Sequence, residues 1–334
     1  MKKFTIFMGF IDLCIAICFF LFYGPNKTLR NTLISTAMVT KTHQYIAYTF
    51  YSEKTVKEVL EANSYTRISD KIDLSKIKFD TEEEETYDNE YDEAIKTRDG
   101  NNDLYKYLKI KVGNYDAHLV AIYDPSKVEL ITSKSFNTGN GAEKVTKMCN
   151  RLGGIVCING GMFADPDGWG SDIPTGYLIK DGKVIWSDNN GEAELIGFTE
   201  DHKLFLTVDT AEGAIKNGMR DALQFGPFLI VNGKQMTYNS ETGGYDRAAR
   251  VAIAQRKDGI VLFLVTEGVH TKGPNLKEVT ETLAKYGAYN AANLDGGTSS
   301  QLVINGTLIN KPMNVYGKVI TGGRSVVSGF GLIK

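Results

Sequence analysis

The chain has 334 residues and a formal net charge of −2, with 42% hydrophobic and 23% charged residues. This composition is ordinary for a globular protein and argues against a nucleic-acid partner, which would favour a strongly basic surface. Glycine is the exception, because the 34 glycines exceed the usual share of about 7%. Several of them occur in pairs outside any low-complexity segment, and such pairs indicate defined turns or close backbone contacts.

Residues 1–24 have the pattern of a membrane anchor. Two lysines precede about 20 apolar or neutral residues, interrupted only by Asp12, and at ~1.5 Å per residue this length spans a bilayer core. No small-residue cleavage site of the kind that ends a signal peptide follows the segment. The sequence therefore predicts an uncleaved transmembrane helix. The lysines before it favour an N-terminus inside the cell, whereas a lysine and an arginine soon after it oppose that orientation.

The four cysteines form two groups. Cys14 and Cys18 lie in the predicted anchor, and Cys149 and Cys157 lie in the body of the chain. A disulfide between the second pair would suit an extracellular body, and two buried thiols explain that pair equally well. Neither spacing is typical of a zinc site, and the four histidines are scattered. The sequence therefore predicts no metal site and no cofactor.

Residues 25–103 are predicted to form juxtamembrane helices and an acidic linker. Residues 28–62 contain no proline or glycine and show helical periodicity, with a break at Ser52, which is a suitable N-cap for a second helix. Eight acidic residues occur between Glu82 and Glu93, as is typical of a solvated linker or insertion. Their spacing lacks the alternation and central glycine of a calcium-binding loop.

Residues 104–334 are predicted to form the globular domain. Segments such as YLKIKV and AHLVAIYD indicate strands, and helices are predicted over GAEKVTKMCNRLG and NLKEVTETLAKYGA. Four segments place Asn-Gly or Asp-Gly between apolar strands, which is a strong indication of β-hairpins: YLIKDGKVIW, FLIVNGKQM, VAIAQRKDGIVLFLVT and QLVINGTLIN. The sequence thus predicts an α+β fold, a hairpin-rich domain with mixed or antiparallel sheets and few helices, preceded by the N-terminal transmembrane helix.

The segment NLDGGTSSQL combines an acidic residue with a turn rich in hydrogen-bond donors. Asp295 follows the apolar run YNAANL, and Gly296 and Gly297 permit positive φ and leave backbone N–H groups accessible. Thr298 and Ser299 add hydroxyl groups. Such a turn can bind an oxyanion or phosphate beside a carboxylate that acts as acid, base or nucleophile. The same residues also fit a plain Asp-Gly turn whose aspartate caps its own backbone.

Polar residues flank several other predicted strands of the domain. They are Asn159 with Gly160 and Gly161, Arg250, Glu267 and Arg324. If these strand ends converge, the residues form one site. Two carboxylates and two arginines fit a reaction on an anionic, sugar-like substrate, because planar guanidinium groups match phosphate geometry. Each arginine fits a structural ion pair equally well.

Five segments carry a resemblance to a known family. They are, in chain order, INGGMF, RAARVAIAQRKDG, LVTEG, ANLDGGTSSQLV and GGRSVVSGFGL. Together they resemble the phosphodiester glycosidase family, whose bacterial members are often named exopolysaccharide-biosynthesis proteins. The resemblance covers residues 104–334 and implies a catalytic domain with hydrolase activity. Thr298 stands where the family usually has a third glycine, and Glu267 where it usually has aspartate, so activity or substrate preference could differ.

The resemblance also implies roles for the candidate residues. Asp295 and Glu267 would be the catalytic carboxylates, in an order that the sequence does not assign. The groups holding the phosphate would be Arg250, Arg324 and the amides at Gly160, Gly161, Gly296 and Gly297, beside the hydroxyls of Thr298 and Ser299. Asn159 would bond a sugar hydroxyl or a phosphate oxygen. No metal is needed in this scheme.

Two functions are consistent with these expectations. The first is a single-pass protein of the cell membrane with an extracellular body that hydrolyses a sugar-1-phosphodiester, such as a GlcNAc-1-phosphodiester, in cell-envelope glycopolymers. The second is a non-catalytic protein that binds or assembles an anionic envelope polysaccharide. Carboxylates that face one cleft within about 10 Å would favour the enzyme, whereas carboxylates held apart or paired with buried arginines would favour the binding protein.

Overall fold

The computed structural model separates the chain into two compact units, residues 1–65 with 238–246, and residues 66–237 with 247–334. The residues that the structure describes are 2–39, 44–62, 65–66, 68, 70–79, 86–100, 102–139, 142–165, 170–188, 191–238, 247–269 and 272–334. All of the predicted site residues lie within these ranges, whereas the first four of the clustered acidic residues, 82–85, lie outside them.

The first unit is helical. Its helices are α1 (Lys2–Tyr23), α2 (Lys27–Val39), α3 (Gln44–Phe50) and α4 (Glu53–Ala62). Ile34, Ala47 and Val56 bury their side chains in its small core. The predicted N-cap is present, because the Ser52 hydroxyl accepts the Thr55 N–H at 3.2 Å. Although α1 covers the predicted anchor, no helix in the described part of the chain is long and apolar enough to cross a membrane, so the transmembrane prediction is not supported.

The second unit consists mainly of short strands. Its helices are α5 (Glu90–Lys96), α6 (Val145–Arg151), α7 (Ala211–Lys216) and α8 (Leu276–Lys285), with 3₁₀ turns at Leu74–Lys76, Pro125–Lys127 and Gly297–Ser299. The strands of the chain are β1 (Tyr65–Thr66), β2 (Tyr105–Val112), β3 (Tyr115–Ile122), β4 (Val128–Thr132), β5 (Glu143–Lys144), β6 (Gly154–Asn159), β7 (Tyr177–Lys180), β8 (Lys183–Ser187), β9 (Ala193–Thr199), β10 (Leu204–Asp209), β11 (Met219–Gln224), β12 (Phe228–Val231), β13 (Lys234–Gln235), β14 (Thr237–Tyr238), β15 (Val251–Arg256), β16 (Val261–Thr266), β17 (Ala288–Leu294), β18 (Leu302–Ile304), β19 (Thr307–Leu308), β20 (Ser325–Val326) and β21 (Ser328–Ile333).

Three antiparallel sheets pack around one hydrophobic core. Their strand orders are β13-β12-β17-β15-β16-β3-β2, β19-β18-β6-β21-β4 and β10-β9-β11-β7-β8. Phe198, Phe263 and Phe330, one from each sheet, are fully buried in this core. The α+β architecture with antiparallel sheets and few helices confirms that part of the fold prediction. Extensive burial of apolar side chains from all three sheets supplies the main stabilisation.

The four predicted hairpins are present. β7 pairs with β8, β12 with β13, β15 with β16 and β18 with β19. Asp181, Asn232 and Asn305 take positive φ in three of these turns, as two-residue turns of this class require. α8 also forms as predicted, with a capping box between Asn275 and Glu278 at its start.

The predicted linker contributes structure to the second unit. The Asn232 side chain accepts the Asp73 N–H at 2.7 Å, and the Lys78 N–H donates to the Lys257 carbonyl at 2.8 Å. In α5, Asp92 is buried and pairs with Arg256 at 2.5 Å. The compact unit therefore begins at Thr66, ahead of the boundary at 104 that the sequence predicts, because contacts distant in sequence tie this segment to the sheet.

A disulfide links Cys149 in α6 to Cys157 in β6, with eight residues of sequence separation. The structure thus selects the disulfide from the two alternatives that the sequence allows. Changing both cysteines to alanine is expected to lower the free energy of unfolding by about 2–3 kcal/mol, because the open loop regains entropy in the unfolded chain. Denaturant unfolding with and without reductant tests this. The double variant should be insensitive to reductant, and an unchanged midpoint would contradict the expectation.

Candidate active site

The antiparallel register brings three predicted site residues together at one end of the strands in the seven-stranded sheet. Val251 of β15 pairs with Leu294 of β17 and also with Val265 of β16. Arg250 immediately precedes β15, Asp295 follows β17, and Glu267 follows β16. Asp295 and Glu267 are therefore separated by two strand spacings, about 10 Å between their backbones.

The glycine pair after Asp295 permits a close approach to the chain before β15. A Cβ atom on Gly296 would lie 2.6 Å from the Ala249 carbonyl oxygen. Gly297 has a φ of +56°, and its N–H donates to that same carbonyl at 2.7 Å. A 3₁₀ turn over Gly297–Ser299 follows and carries Thr298 at a partly exposed position. The glycines are thus needed to seat the loop against Ala249.

The end of β6 holds the other side of the Asp295 loop. The Asp295 N–H donates to the Gly160 carbonyl at 2.8 Å. The buried Asn159 side chain donates to the Asp295 carbonyl at 2.6 Å and accepts the Gln301 N–H at 2.8 Å. Asn159 therefore bridges the two ends of the loop and positions it, and the contact with substrate that the sequence predicts stays a prediction.

The predicted phosphate cradle of backbone amides is already occupied by contacts within the protein. The Gly160 N–H donates to the Ser328 carbonyl at 2.9 Å, and the Gly161 N–H donates to the Ser328 hydroxyl at 3.1 Å. The Gly297 N–H is bonded to Ala249, and the Gly296 backbone bonds to the Asp295 carboxyl group. These amides hold the loop and its carboxyl group in place in this structure, and phosphate binding by them stays a prediction.

Asp295 is the carboxyl group with the most perturbed environment in this region. Burial raises its pKa from the ordinary 3.8 to about 6, although the Ser299 hydroxyl and the charge of Arg324 act in the opposite direction. The negative charge of Asp165 adds to the increase. A carboxyl group whose pKa lies near the working pH can gain or lose a proton during a reaction, which is typical of catalytic sites.

Arg324 is the cation that the structure places near Asp295. Its Nη2 lies 2.8 Å from an Asp165 oxygen, and its guanidinium carbon lies 4.9 Å from the centre of the Phe163 ring. The side chain is 13% exposed. The Phe163 ring and the Asp165 carboxylate fix the plane of the guanidinium group, and its remaining N–H groups can donate hydrogen bonds to a phosphate. Arg250 has a different setting, because its Nε donates to the Pro274 carbonyl at 3.4 Å.

Glu267 is held by groups that the sequence did not indicate. One of its oxygens lies 3.0 Å from His118 Nε2, and both oxygens accept the Lys311 N–H at 3.1 and 3.2 Å. The other ring nitrogen of His118 lies 2.8 Å from the Tyr107 hydroxyl. Burial and the charge of Glu267 raise the pKa of Tyr107. The Glu267 carboxylate is 24% exposed, so it is accessible to solvent at the end of β16.

Gln301 is a further residue of the site that sequence reasoning missed. Its side-chain amide donates to the Ser299 carbonyl at 3.2 Å and to the Arg324 carbonyl at 2.9 Å. It therefore connects the Asp295 loop to the Arg324 loop. Within the described residues, three buried oxygens here lack a hydrogen-bond partner, Asn293 Oδ1, Ser300 Oγ and Gln301 Oε1. Such groups are uncommon in purely structural turns and often occur at functional sites.

Replacing Asn159 with leucine is expected to lower kcat and to lower the free energy of unfolding by about 1–3 kcal/mol, because two buried backbone groups lose their partners. Asn310 offers a matched control, since its buried side chain accepts the Leu302 N–H at 2.8 Å and donates to the Ser300 carbonyl at 2.9 Å. Asn310→Leu should lose similar stability with a smaller loss of kcat. Equal effects of the two variants on kcat would contradict the positioning role of Asn159.

The arrangement brings together Asp295, whose pKa is raised, and Arg324, whose orientation is fixed. A second carboxylate, Glu267, lies at the same end of the strands. Among the described residues, no group of three or more His, Cys, Asp or Glu side chains could hold a metal ion. The side chains of Asp295 and Arg324 can respectively handle a proton and stabilise an anionic leaving group.

Comparison with known proteins gives matches over this same region. Residues 153–333 match the phosphodiester glycosidase family. The SPbeta prophage-derived uncharacterized protein YomE of Bacillus subtilis (strain 168) is 31% identical over 201 residues, which cover 56% of this chain and 30% of that protein. The human N-acetylglucosamine-1-phosphodiester alpha-N-acetylglucosaminidase is 39% identical over 174 residues, which cover 47% of this chain and 33% of that protein.

A solved structure supports the fold. The zebrafish N-acetylglucosamine-1-phosphodiester alpha-N-acetylglucosaminidase catalytic domain, described as auto-inhibited by its pro-peptide, aligns with a TM-score of 0.58 at 19% identity, covering 71% of this chain and 85% of that one. The match spans about a third of the length of the curated relatives. The family match covers more than half of the residues of this chain, so the chain belongs to the phosphodiester glycosidase family.

Proposed function

We propose that this protein hydrolyses a sugar-1-phosphodiester between the anomeric carbon and the phosphate oxygen. The observation that carries the proposal is Asp295, a carboxyl group with a pKa of about 6 beside Arg324, on a loop braced by Asn159 and Gln301. Membership of the family and the name of the human relative support N-acetylglucosamine as the sugar. Polymers of the cell envelope are the proposed source of this linkage.

The reaction places different demands on the two ends of the scissile bond. Water adds its oxygen to the anomeric carbon, and the bond to the phosphate oxygen breaks with its electron pair on the phosphate. A phosphate is already a good leaving group, so Arg324 stabilises its charge and little protonation is needed. Ionised Asp295 stabilises positive charge on the sugar ring and takes up a proton from water. Glu267, about two strand spacings away, orients the sugar or the water.

The pH dependence of turnover is expected to follow Asp295. Its carboxyl group is protonated below and ionised above the pKa of about 6, so kcat/KM should rise as the pH increases through that value. Ser299→Ala should move the inflection to higher pH, because the Ser299 hydrogen bond lowers the pKa of Asp295. A pH–rate profile of both proteins tests this, and a rate that instead falls above pH 6 would assign Asp295 the role of an acid.

The same pKa predicts a change in stability, with a defined sign. The folded state binds a proton on Asp295 between about pH 4 and 6, where the unfolded chain does not. The contribution of Asp295 to the free energy of unfolding therefore decreases as the pH rises through that window, and this contribution is constant above it.

The direct test is sugar release from a synthetic α-N-acetylglucosaminyl phosphodiester by the full chain. A phosphomonoester must appear in equal amount, because hydrolysis yields one of each product. Release of the sugar still linked to phosphate would indicate cleavage on the other side of the phosphate and would contradict the proposal. Retention of an anionic glycopolymer without turnover of any sugar phosphodiester would favour the binding protein, a candidate supported by the contacts of Glu267 with His118 and Lys311.

We further propose that the domain acts outside the cytoplasm at the cell membrane. The disulfide between Cys149 and Cys157 supports an oxidising compartment. Large apolar side chains on α1, among them Phe10, Phe19 and Phe20, are 63–64% exposed, which supports attachment through this helix. Protease accessibility in intact cells and fractionation with and without residues 1–24 test the two parts separately. A protease-protected body would contradict the location, and unchanged fractionation would contradict the attachment.

A further inference from the structure

A cavity lined by basic side chains lies at the opposite end of the seven-stranded sheet from Asp295. Its volume is about 660 Å³. Ala288, the first residue of β17, lines the cavity, whereas Asp295 follows the last residue of that seven-residue strand. At ~3.4 Å per residue the two places are about 20 Å apart. The cavity is therefore separate from the candidate active site.

The basic side chains outnumber the acidic ones in this cavity. The basic residues are Lys76, Lys78, Lys96, Arg256, Lys257 and Lys285, and the acidic ones are Asp88, Asp92 and Asp258. Two of the three acidic groups are neutralised within the wall by two cations, because Arg256 Nη2 lies 2.5 Å from Asp92 and 2.7 Å from Asp258, and Lys96 Nζ lies 3.3 Å from Asp92. A net positive charge is left facing solvent, and a concave surface concentrates its field.

Four exposed lysines supply that field. Among the described residues, Lys76, Lys78, Lys257 and Lys285 have no ion-pair partner. Lys257 lies 5.4 Å from the centre of the Tyr289 ring, which leaves its charge available. Like charges brought together on one surface repel one another unless an anion joins them, so this arrangement favours an anionic ligand.

Hydrogen bonds between distant segments connect the cavity walls. Asn232 binds the backbone on both sides of Ile72, through the Asp73 N–H at 2.7 Å and the Lys71 carbonyl at 2.9 Å. The Lys78 N–H donates to Lys257 at 2.8 Å. Arg256 donates to the Tyr286 carbonyl at 2.8 Å, which joins β15 to the end of α8. A prearranged surface loses less entropy on binding than a mobile one.

We propose that this basic cavity binds a phosphate-bearing polymer at a distance from the active site. One small phosphate group cannot reach both places, whereas a polymer with repeated phosphodiester links can extend over about 20 Å. Binding by the cavity stands on its own, and only the role of the bound polymer as substrate rests on the proposed function. The lysines at 76 and 78 lie outside the family match at 153–333, whereas Arg256, Lys257 and Lys285 lie inside it.

The test measures binding of poly(glycerol phosphate) to the full chain by calorimetry at low salt, with neutral dextran as the comparison polymer. The cavity variant carries Lys76→Gln, Lys78→Gln and Lys285→Gln. The control variant carries Lys183→Gln, Lys216→Gln and Lys334→Gln, which remove the same charge at exposed positions away from the cavity. Lys216 and Lys285 are matched, since each lies in the last turn of a helix.

The cavity variant is expected to bind the polymer about tenfold more weakly, and the control variant to bind it nearly as the unchanged protein does. Equal weakening in both variants, or no binding by the unchanged protein, would overturn the proposal. Turnover of the small synthetic phosphodiester should be the same in the cavity variant, because none of its three lysines lies at the Asp295 edge. If the cavity variant loses polymer binding and the unchanged protein has no glycosidase activity, the result supports the proposed binding site and rejects the proposed function.

Discussion

Asp295→Asn is expected to reduce kcat by about 10²–10⁴-fold or more while the protein remains folded. Asparagine keeps an oxygen that can accept the Ser299 and Gly296 hydrogen bonds, and it keeps the backbone bonds to Gly160 and Asn159. It removes the negative charge that the reaction needs near the sugar ring. The measurement is single-turnover sugar release from the synthetic phosphodiester, together with thermal unfolding of the same preparation.

The unfolding data separate chemistry from folding. Because burial disfavours the charged form of Asp295, the neutral asparagine should be as stable as aspartate at pH 7 or more stable. Glu267→Gln provides the comparison at the second carboxylate, which has His118 and Lys311 as partners. If Asp295→Asn retains full turnover while Glu267→Gln loses it, the principal catalytic carboxylate is Glu267 and the assignment of Asp295 is wrong.

Arg256→Met is expected to lower the free energy of unfolding by about 3–5 kcal/mol, which is the largest stability change predicted for this chain. The guanidinium group is 7% exposed and pairs with Asp92 and Asp258. Burial raises the pKa of Asp92, but the hydrogen bond and charge of Arg256 outweigh it and hold that pKa below the ordinary value. Methionine would remove the guanidinium group from both carboxylates, and the buried Asp92 would keep only Lys96, 3.3 Å away, as a cation.

Denaturant unfolding at pH 7 measures this change, with Lys111→Met as the control. Lys111 pairs with Asp116 at 2.7 Å, but the two side chains are 61% and 72% exposed, so their loss should cost less than about 1 kcal/mol. A loss of that small size for Arg256→Met would mean that α5 does not depend on the ion pair. The destabilisation should shrink in acid, because the depressed pKa of Asp92 gives stability that is lost as the pH falls through it.

The hairpins could be predicted from the sequence because turn chemistry acts over a few residues. Asn232-Gly233 and Asp181-Gly182 need only their own positive φ values to reverse the chain. Likewise, the Asn275–Glu278 capping box is encoded within four consecutive positions. The predicted order of strands, and the polar residues that follow them, therefore agree with the structure over most of the second unit.

The packing of the segment before residue 104 could not be predicted in this way. Its acidic composition is typical of a solvated linker, yet the Asp92 carboxylate meets Arg256 across 164 positions of sequence. A charge that finds a buried partner of opposite sign behaves differently from one in solvent. The composition gives the number of acidic residues but does not show which of them pair with a buried cation.

The candidate site shows the same division between local and distant causes. The sequence alone was sufficient for the strand ends, for the position of Asp295 after one of them and for the family resemblance, because all of these depend on residue types at short spacings. Only the tertiary structure showed that Asn159 bridges Asp295 and Gln301, that Ser328 occupies the amides at Gly160 and Gly161, and that His118 holds Glu267. Hydrogen-bond partners more than 130 residues apart, such as Asn159 with Asp295 and Gly161 with Ser328, at separations of 136 and 167 residues, become neighbours only when sheets pack, and burial then raises the pKa of Asp295.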